Sequence, residues 1–267
     1  MADTRENRPR FKPGEVILSP VTEEDLLSLS EGYHAAFPKE WYDKLEPPNL
    51  RPTDARIRHQ RFATRMIPWL KEPHVLMTKA VLHPSSPSFD PSNPNRVIGH
   101  AGWLAPERTR DQILNFWRRD ACEKLGWCEK MGWSKEEEAE LWAGTNVEAW
   151  QENFLQYDRI RADRMREVAE GHWFLAPLWV VPDFQGRGVA SLLLKEVIEI
   201  ADRADPPQAM YLEAMPAARA IYERFGYRGV EGEGHDFVMI RWPKDGDVKG
   251  SEPITVIVAG IGEEKGE

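Results

Sequence analysis

VVPDFQGRGVA, Val180 to Ala190, joins an apolar run to an amphipathic helix through a turn suited to hold an anion. Leu178, Trp179, Val180 and Val181 read as the end of a strand closed by Pro182, and Gln185-Gly186-Arg187-Gly188-Val189-Ala190 opens a helix running toward Asp202. The first backbone N–H groups of a helix have no internal partner, and the aligned peptide dipoles leave partial positive charge there. A phosphate is the natural ligand of such an end. A side chain at Gly186 or Gly188 would keep a diphosphate from those N–H groups, and Arg187 can add a full charge with forked donors.

Gln185-x-x-Gly188-x-Ala190, set behind an apolar strand and V-x-P, resembles the acetyl-coenzyme A signature (Q/R-x-x-G-x-G/A) of the GNAT superfamily of N-acetyltransferases. MYLEAMPAARAIYERFGYR, Met210 to Arg228, continues the likeness: it is similar to the family's fifth strand and fourth helix, with Tyr222, Gly226 and Tyr227 in the expected places. The match is good from Trp173 to Trp242, loose before Pro106, and absent from Glu107 to Glu170. The resemblance implies an α/β fold: a mixed, mostly antiparallel sheet splayed between strands four and five and flanked by helices, with acetyl-CoA as donor. It implies direct attack by an amine on the thioester in a ternary complex. Leu178, Trp179 and Val180 then offer backbone to pantetheine, while Gln185, Gly186, Arg187, Gly188, Val189 and Ala190 face the phosphates. A freed N–H at Leu178 or Val180 polarises the thioester carbonyl. Pro177, unable to donate to a ladder, favours the interrupted pairing that such a splay needs.

Tyr222 is the expected general acid: a phenol of pKa ~10 holds its proton at neutral pH and can pass it to a departing thiolate, whose thiol has pKa ~8.5. Glu213, at the end of the fifth strand, is the first candidate for general base, followed by His172 and His100. Each also has a plain structural reading, as a core or half-buried polar residue. The acceptor side falls to segments outside the match, with Tyr33, Phe37, Trp41 and a tryptophan-rich region as candidate walls. Aromatic walls suit a hydrophobic amine or a cation held against ring faces. Glu136 to Glu140 reads as a solvated helix face.

The rest of the chain fits one acyltransferase domain over residues 14–242. Residues 1–13 are polar and read as a flexible lead, and Val16 to Ser19 as a first strand. Thr22-Glu23-Glu24-Asp25 starts a helix in capping-box style, and Thr53 or Asp54 starts another running through Leu70. HVLMTKAVL (His74 to Leu82) and RVIGHAGWL (Arg96 to Leu104) read as strands joined by a Pro/Ser/Asn hairpin loop. Residues 107–170 carry Trp117, Trp127, Trp133, Trp142 and Trp150 and read as three or four helices inserted between strands three and four. Residues 243–267 form a polar tail in which ITVIVAGI, 254–261, is a possible extra edge strand or a contact with a second copy.

Composition narrows the partners. A net charge of −9 argues against nucleic acid and leans toward a small-molecule amine acceptor over histone tails. No apolar run approaches the ~20 residues of a membrane span, so no membrane is expected and the address is cytoplasmic. Cys122 and Cys128 have neither zinc-site nor C-x-x-C spacing and are expected to be reduced; no metal site is expected. Either a monomer or a homodimer is compatible. Two rivals stand beside the transferase. One is a GNAT-like module that binds acyl-coenzyme A without catalysis. The other is a Rossmann-type oxidoreductase, against which Ser191 stands where the fingerprint requires Gly or Ala.

Overall fold

The computed structural model describes residues 8–106, 117–168, 171–232 and 236–243. The chain begins with β1 (Val16–Pro20), then α1 (Leu26–Ala36), the short α2 (Lys39–Asp43), and α3 (Ala55–Met66). β2 (Val75–Leu82) and β3 (Gly99–Leu104) follow, then four helices: α4 (Ala121–Lys124), α5 (Trp127–Met131), α6 (Lys135–Trp142) and α7 (Val147–Arg164). The last part holds β4 (Trp173–Val180), α8 (Val189–Arg203), β5 (Met210–Glu213), α9 (Arg219–Arg224), β6 (Arg228–Gly229) and β7 (Val238–Arg241). The seven strands form one sheet in the order β1-β2-β3-β4-β5-β7-β6, antiparallel except for β4 beside β5. This is the mixed sheet and insertion point expected.

Local signals explain most boundaries. Thr22 N–H donates to Asp25 Oδ2 at 2.7 Å and closes the turn ahead of α1, while the Asp54 side chain accepts from Arg56 N–H at 2.8 Å to cap α3. Ser134 and Glu137 form a reciprocal capping box on α6, and Asn146 caps α7. Val189, Leu193, Leu194, Val197, Ile198 and Ala201 make the buried face of α8 against the sheet. At roughly 1.5–3 kcal/mol for each large apolar side chain, that face holds the helix down.

The insertion is part of the main core. Trp117 lies 4.9 Å from Trp69 and 5.4 Å from Phe62, and Trp150 is almost wholly buried. The Arg65 guanidinium from α3 sits 4.2 Å from the Trp142 ring and 5.0 Å from Trp150, between two elements of the insertion.

Two expectations change here. Cys122 and Cys128 are paired as a disulfide linking α4 to α5, their Cα atoms 6.0 Å apart, rather than reduced. Spacing arguments for zinc and redox motifs miss two short helices folded back on each other. Residues 8–13, expected to be loose, are docked: Phe11 N–H donates to the Arg187 carbonyl at 3.1 Å and Arg8 donates to the Pro182 carbonyl at 2.8 Å. The apolar run 254–261, the first seven residues and 107–116 lie outside the described residues.

Candidate active site

β4 and β5 pair over three positions only, Trp173 with Met210, Phe174 with Tyr211 and Leu175 with Leu212. β5 ends at Glu213 while β4 continues to Val180, so the upper half of β4 has no neighbour on that side. On its other side Ala101 faces Leu178 but Trp103 faces Leu175, which leaves one extra residue on β4 and bulges it at Ala176-Pro177. Gly102 lies under the bulge, where a Cβ would stand 2.9 Å from the Ala176 carbonyl oxygen. A strand carrying no side chain at that point is what lets β4 arch.

A cavity of about 130 Å³ fills the gap. Pro177 and Leu178 line it from β4, Glu213 from the end of β5 and Tyr222 from α9. Opposite them stands an aromatic wall. Tyr33 of α1 stacks on Trp117 at 5.3 Å, Trp41 Nε1 donates to the Tyr33 hydroxyl at 3.0 Å, and Trp41 lies near-parallel to Tyr157 at 6.4 Å. Phe154 and Tyr157 come from α7, where Trp150, Phe154, Tyr157 and Arg161 share one helix face at spacings of four, three and four.

The electrostatics of this cavity centre on Glu213. Burial pushes its carboxyl up to about 8; the Arg161 guanidinium and the Tyr211 hydroxyl pull in the other direction and do not offset it. Its Oε1 makes no hydrogen bond within the described protein. Tyr157 is pushed up to about 12 by burial and then by Glu213. Burial likewise raises Tyr222 well above the usual phenol, and its hydroxyl makes no hydrogen bond within the described protein. At neutral pH the cavity thus holds a protonated phenol and a carboxyl that gives up its proton one pH unit above neutrality.

The glycine turn lies at the open end of β4. Gly186 and Gly188 adopt φ of +76° and +96°, a region that disfavours side chains, and no side chain caps α8. Gln185 Nε2 turns back to the Val180 carbonyl at 2.9 Å and fixes the strand end. Arg187 is engaged within the protein: Nε donates to the Pro9 carbonyl at 3.1 Å, a terminal nitrogen to Ser88 Oγ at 3.0 Å, and its guanidinium lies 3.7 Å from the Phe11 ring. These contacts hold residues 9–11 against the turn.

The profile of the acetyltransferase (GNAT) family matches residues 31–227, most of the chain. The chain belongs to the GNAT acetyltransferase family. Similar solved structures include a histone acetyltransferase HPA2 and related acetyltransferase from Corynebacterium glutamicum, at 16% identity, covering 88% of this chain and 99% of that one with a TM-score of 0.48. An agmatine N-acetyltransferase covers 85% and 97% at 12% identity with a TM-score of 0.47. The PaiA N-acetyltransferase of Thermoplasma acidophilum, solved with coenzyme A, covers 85% and 98% at 12% identity with a TM-score of 0.42.

Within this acetyltransferase, the residues singled out from sequence divide by position. Glu213, Tyr222 and Leu178 meet at one cavity. Val180, Gln185, Gly186, Arg187, Gly188, Val189 and Ala190 form the strand end and turn beside it. Trp179 points the other way, its ring packed so tightly on α1 that a Cβ on Gly32 would overlap it. His100 and His172 do not line the cavity. His100 is buried, donates from Nδ1 to the Thr78 carbonyl at 2.9 Å, and burial lowers it to about 4, so it is neutral and inside the sheet. Phe154, Tyr157, Arg161 and Phe237 were not singled out from sequence. The periodicity of α7 was visible, but nothing in it said which face meets Glu213.

Proposed function

We propose that this chain transfers the acetyl group of acetyl-CoA to the primary amine of a small molecule with a ring-sized apolar body. The observation carrying this is the cavity between the diverging strands, where the Glu213 carboxyl and the Tyr222 phenol face bare β4 backbone and the remaining walls are apolar or aromatic, Tyr33 and Tyr157 among them. Its volume of about 130 Å³ is near the roughly 150 Å³ at which an apolar cavity accepts a benzene ring. Such a cavity suits a single ring better than a peptide.

The chemistry assigns each group a task. Glu213, ionised, accepts a proton from the bound ammonium and leaves the nitrogen lone pair free to attack. The nitrogen adds to the thioester carbonyl to give a tetrahedral oxyanion, which a backbone N–H of the unpaired part of β4 stabilises. As it collapses the C–S bond breaks, the electron pair leaves on sulfur, Tyr222 gives its proton to the thiolate, and the nitrogen's second proton returns to the Tyr222 oxygen, leaving a neutral amide. Once donor and acceptor fill the cavity, its apolar walls keep out the water that would otherwise hydrolyse the thioester.

The test is thiol release from acetyl-CoA across a panel of amines. Turnover with benzylamine- or phenethylamine-like acceptors above that with polyamines and lysine peptides supports the reading. Preference for peptides, or no thiol release with any amine, overturns it.

A further inference from the structure

Four arginines are buried among the described residues: Arg65, Arg118, Arg161 and Arg241. Three of them have a carboxylate. Arg118 bonds Asp120 Oδ1 at 2.8 Å and Asp158 Oδ2 at 2.9 Å, Arg161 bonds the other oxygen of Asp158 at 3.0 Å, and Arg241 bonds Asp202 at 2.8 Å. Arg65, on α3, has rings instead: its guanidinium lies 4.2 Å from Trp142, 5.0 Å from Trp150 and 5.1 Å from Phe62. Its Nε and one terminal nitrogen are buried and make no hydrogen bond within the described protein. Glu46, whose charge Arg65 feels, is taken by Arg58 and stands 3.5 Å from His34.

Rings attract a guanidinium through their faces, but its N–H groups point outward in its own plane, where a stacked ring does not accept them. A buried cation with unpaired N–H groups is costly, and burial lowers this one only to about 10, so it is charged at neutral pH. Arg65 lines a cavity of about 20 Å³ together with Trp117, Trp142 and Trp150. One water needs about 10–15 Å³, so a single monatomic ion fits there and a phosphate or sulfate does not. Arg118 lines the same cavity with Nε and both terminal nitrogens engaged, so it adds positive potential while its own N–H groups are satisfied. We infer that Arg65 binds one halide ion, chloride first among them, in the cavity between α3 and the tryptophans of the insertion. Water in its place would satisfy the N–H groups and leave the charge uncompensated. The ion backs the acceptor wall, since Trp117 lines both cavities and stacks on Tyr33.

Thermal unfolding of the full chain in sodium chloride, sodium bromide and sodium methanesulfonate at matched ionic strength tests it, with Arg65→Met alongside and bromide located by anomalous scattering in crystals of the wild type. Chloride and bromide should raise Tm saturably, by about 3 °C at ten times Kd, and methanesulfonate, too large for the cavity, should not. Arg65→Met, which keeps an unbranched side chain and removes the charge, should lose the halide response. An anomalous peak in contact with the Arg65 guanidinium supports the inference whether or not that variant folds. A Tm that follows ionic strength with all three anions, a halide response undiminished in Arg65→Met, or crystals with no bromide beside Arg65 overturns it. None of these readouts uses acetyl-CoA or an amine, so their outcome is independent of the transferase reading.

Discussion

Glu213→Gln separates a carboxyl kept neutral by burial from one held as an ion pair. A rise from 4.5 to about 8 means the folded protein holds a proton that the unfolded chain gives up earlier. Below pH 4.5 both states are protonated and the residue costs nothing. Stability is then lost as pH climbs from 4.5 through about 8, where the loss levels off. At ~1.36 kcal/mol per pH unit the full span is roughly 5 kcal/mol. Glu213 lines a cavity that water can enter, which screens the charge, so we expect about 2 kcal/mol. Glutamine keeps the shape and removes the ionisation. Thermal unfolding of the two proteins should coincide at pH 5, and at pH 9 the variant should melt higher by about 4–8 °C. The same carboxyl, acting as base, should give kcat/KM an alkaline-rising limb near pH 8 that Glu213→Gln abolishes along with most activity. A stability difference independent of pH, or a variant less stable at pH 9, would show Glu213 already ionised against Arg161 and refute the reasoning.

Three further outcomes follow from the geometry. Tyr222→Phe should lower kcat by about two orders of magnitude with coenzyme A affinity nearly unchanged, the low end of the roughly 10²–10⁴-fold that a positioned proton donor contributes; steady-state kinetics with calorimetry check it. Gly102→Ala puts a methyl 2.9 Å from the Ala176 carbonyl under the β4 bulge and should cost about 1–3 kcal/mol in urea unfolding, with a raised KM for the donor. Glu46 has the opposite sign to Glu213: burial alone would raise it, but His34, 3.5 Å away, and then Arg58 hold it at about 2. Its stabilisation is full above pH 4.5 and disappears as pH falls through about 2, so Glu46→Gln should lose roughly 3 kcal/mol at pH 7 and converge with wild type in acid.

What the sequence disclosed follows from how local the signals are. The glycine turn needs positive φ at Gly186 and Gly188, and a long amphipathic helix must follow it; both are written within thirty residues. Glu213 and Tyr222 were legible because they lie on the same matched stretch. The aromatic wall was legible in part: Tyr33, Phe37, Trp41 and the tryptophan-rich region that supplies Trp117 were candidate walls and line the cavity, while Phe154, Tyr157 and Phe237 were not singled out, because only packing brings their rings to it. The docked lead was hidden for a different reason. Its composition, Arg8 to Lys12 with Pro9 between, is that of a disordered segment, and what orders it is Phe11 finding Phe184 and Arg187 in three dimensions.

The neutral state of Glu213 has a consequence for the acceptor. An ammonium entering the cavity at pH 7 meets a mostly protonated carboxyl, and its charge favours ionisation of that carboxyl, so binding releases a proton to solvent. The carboxylate formed beside the ammonium then lies in an apolar enclosure, where the pair can collapse to neutral acid and neutral amine by one proton transfer. A carboxylate left stable in water would hold the ammonium as a salt; one destabilised by burial hands the nitrogen its lone pair. The apolar cavity that Glu213 shares with Phe154, Tyr157 and Phe237 is therefore part of the chemistry we propose as well as of the packing.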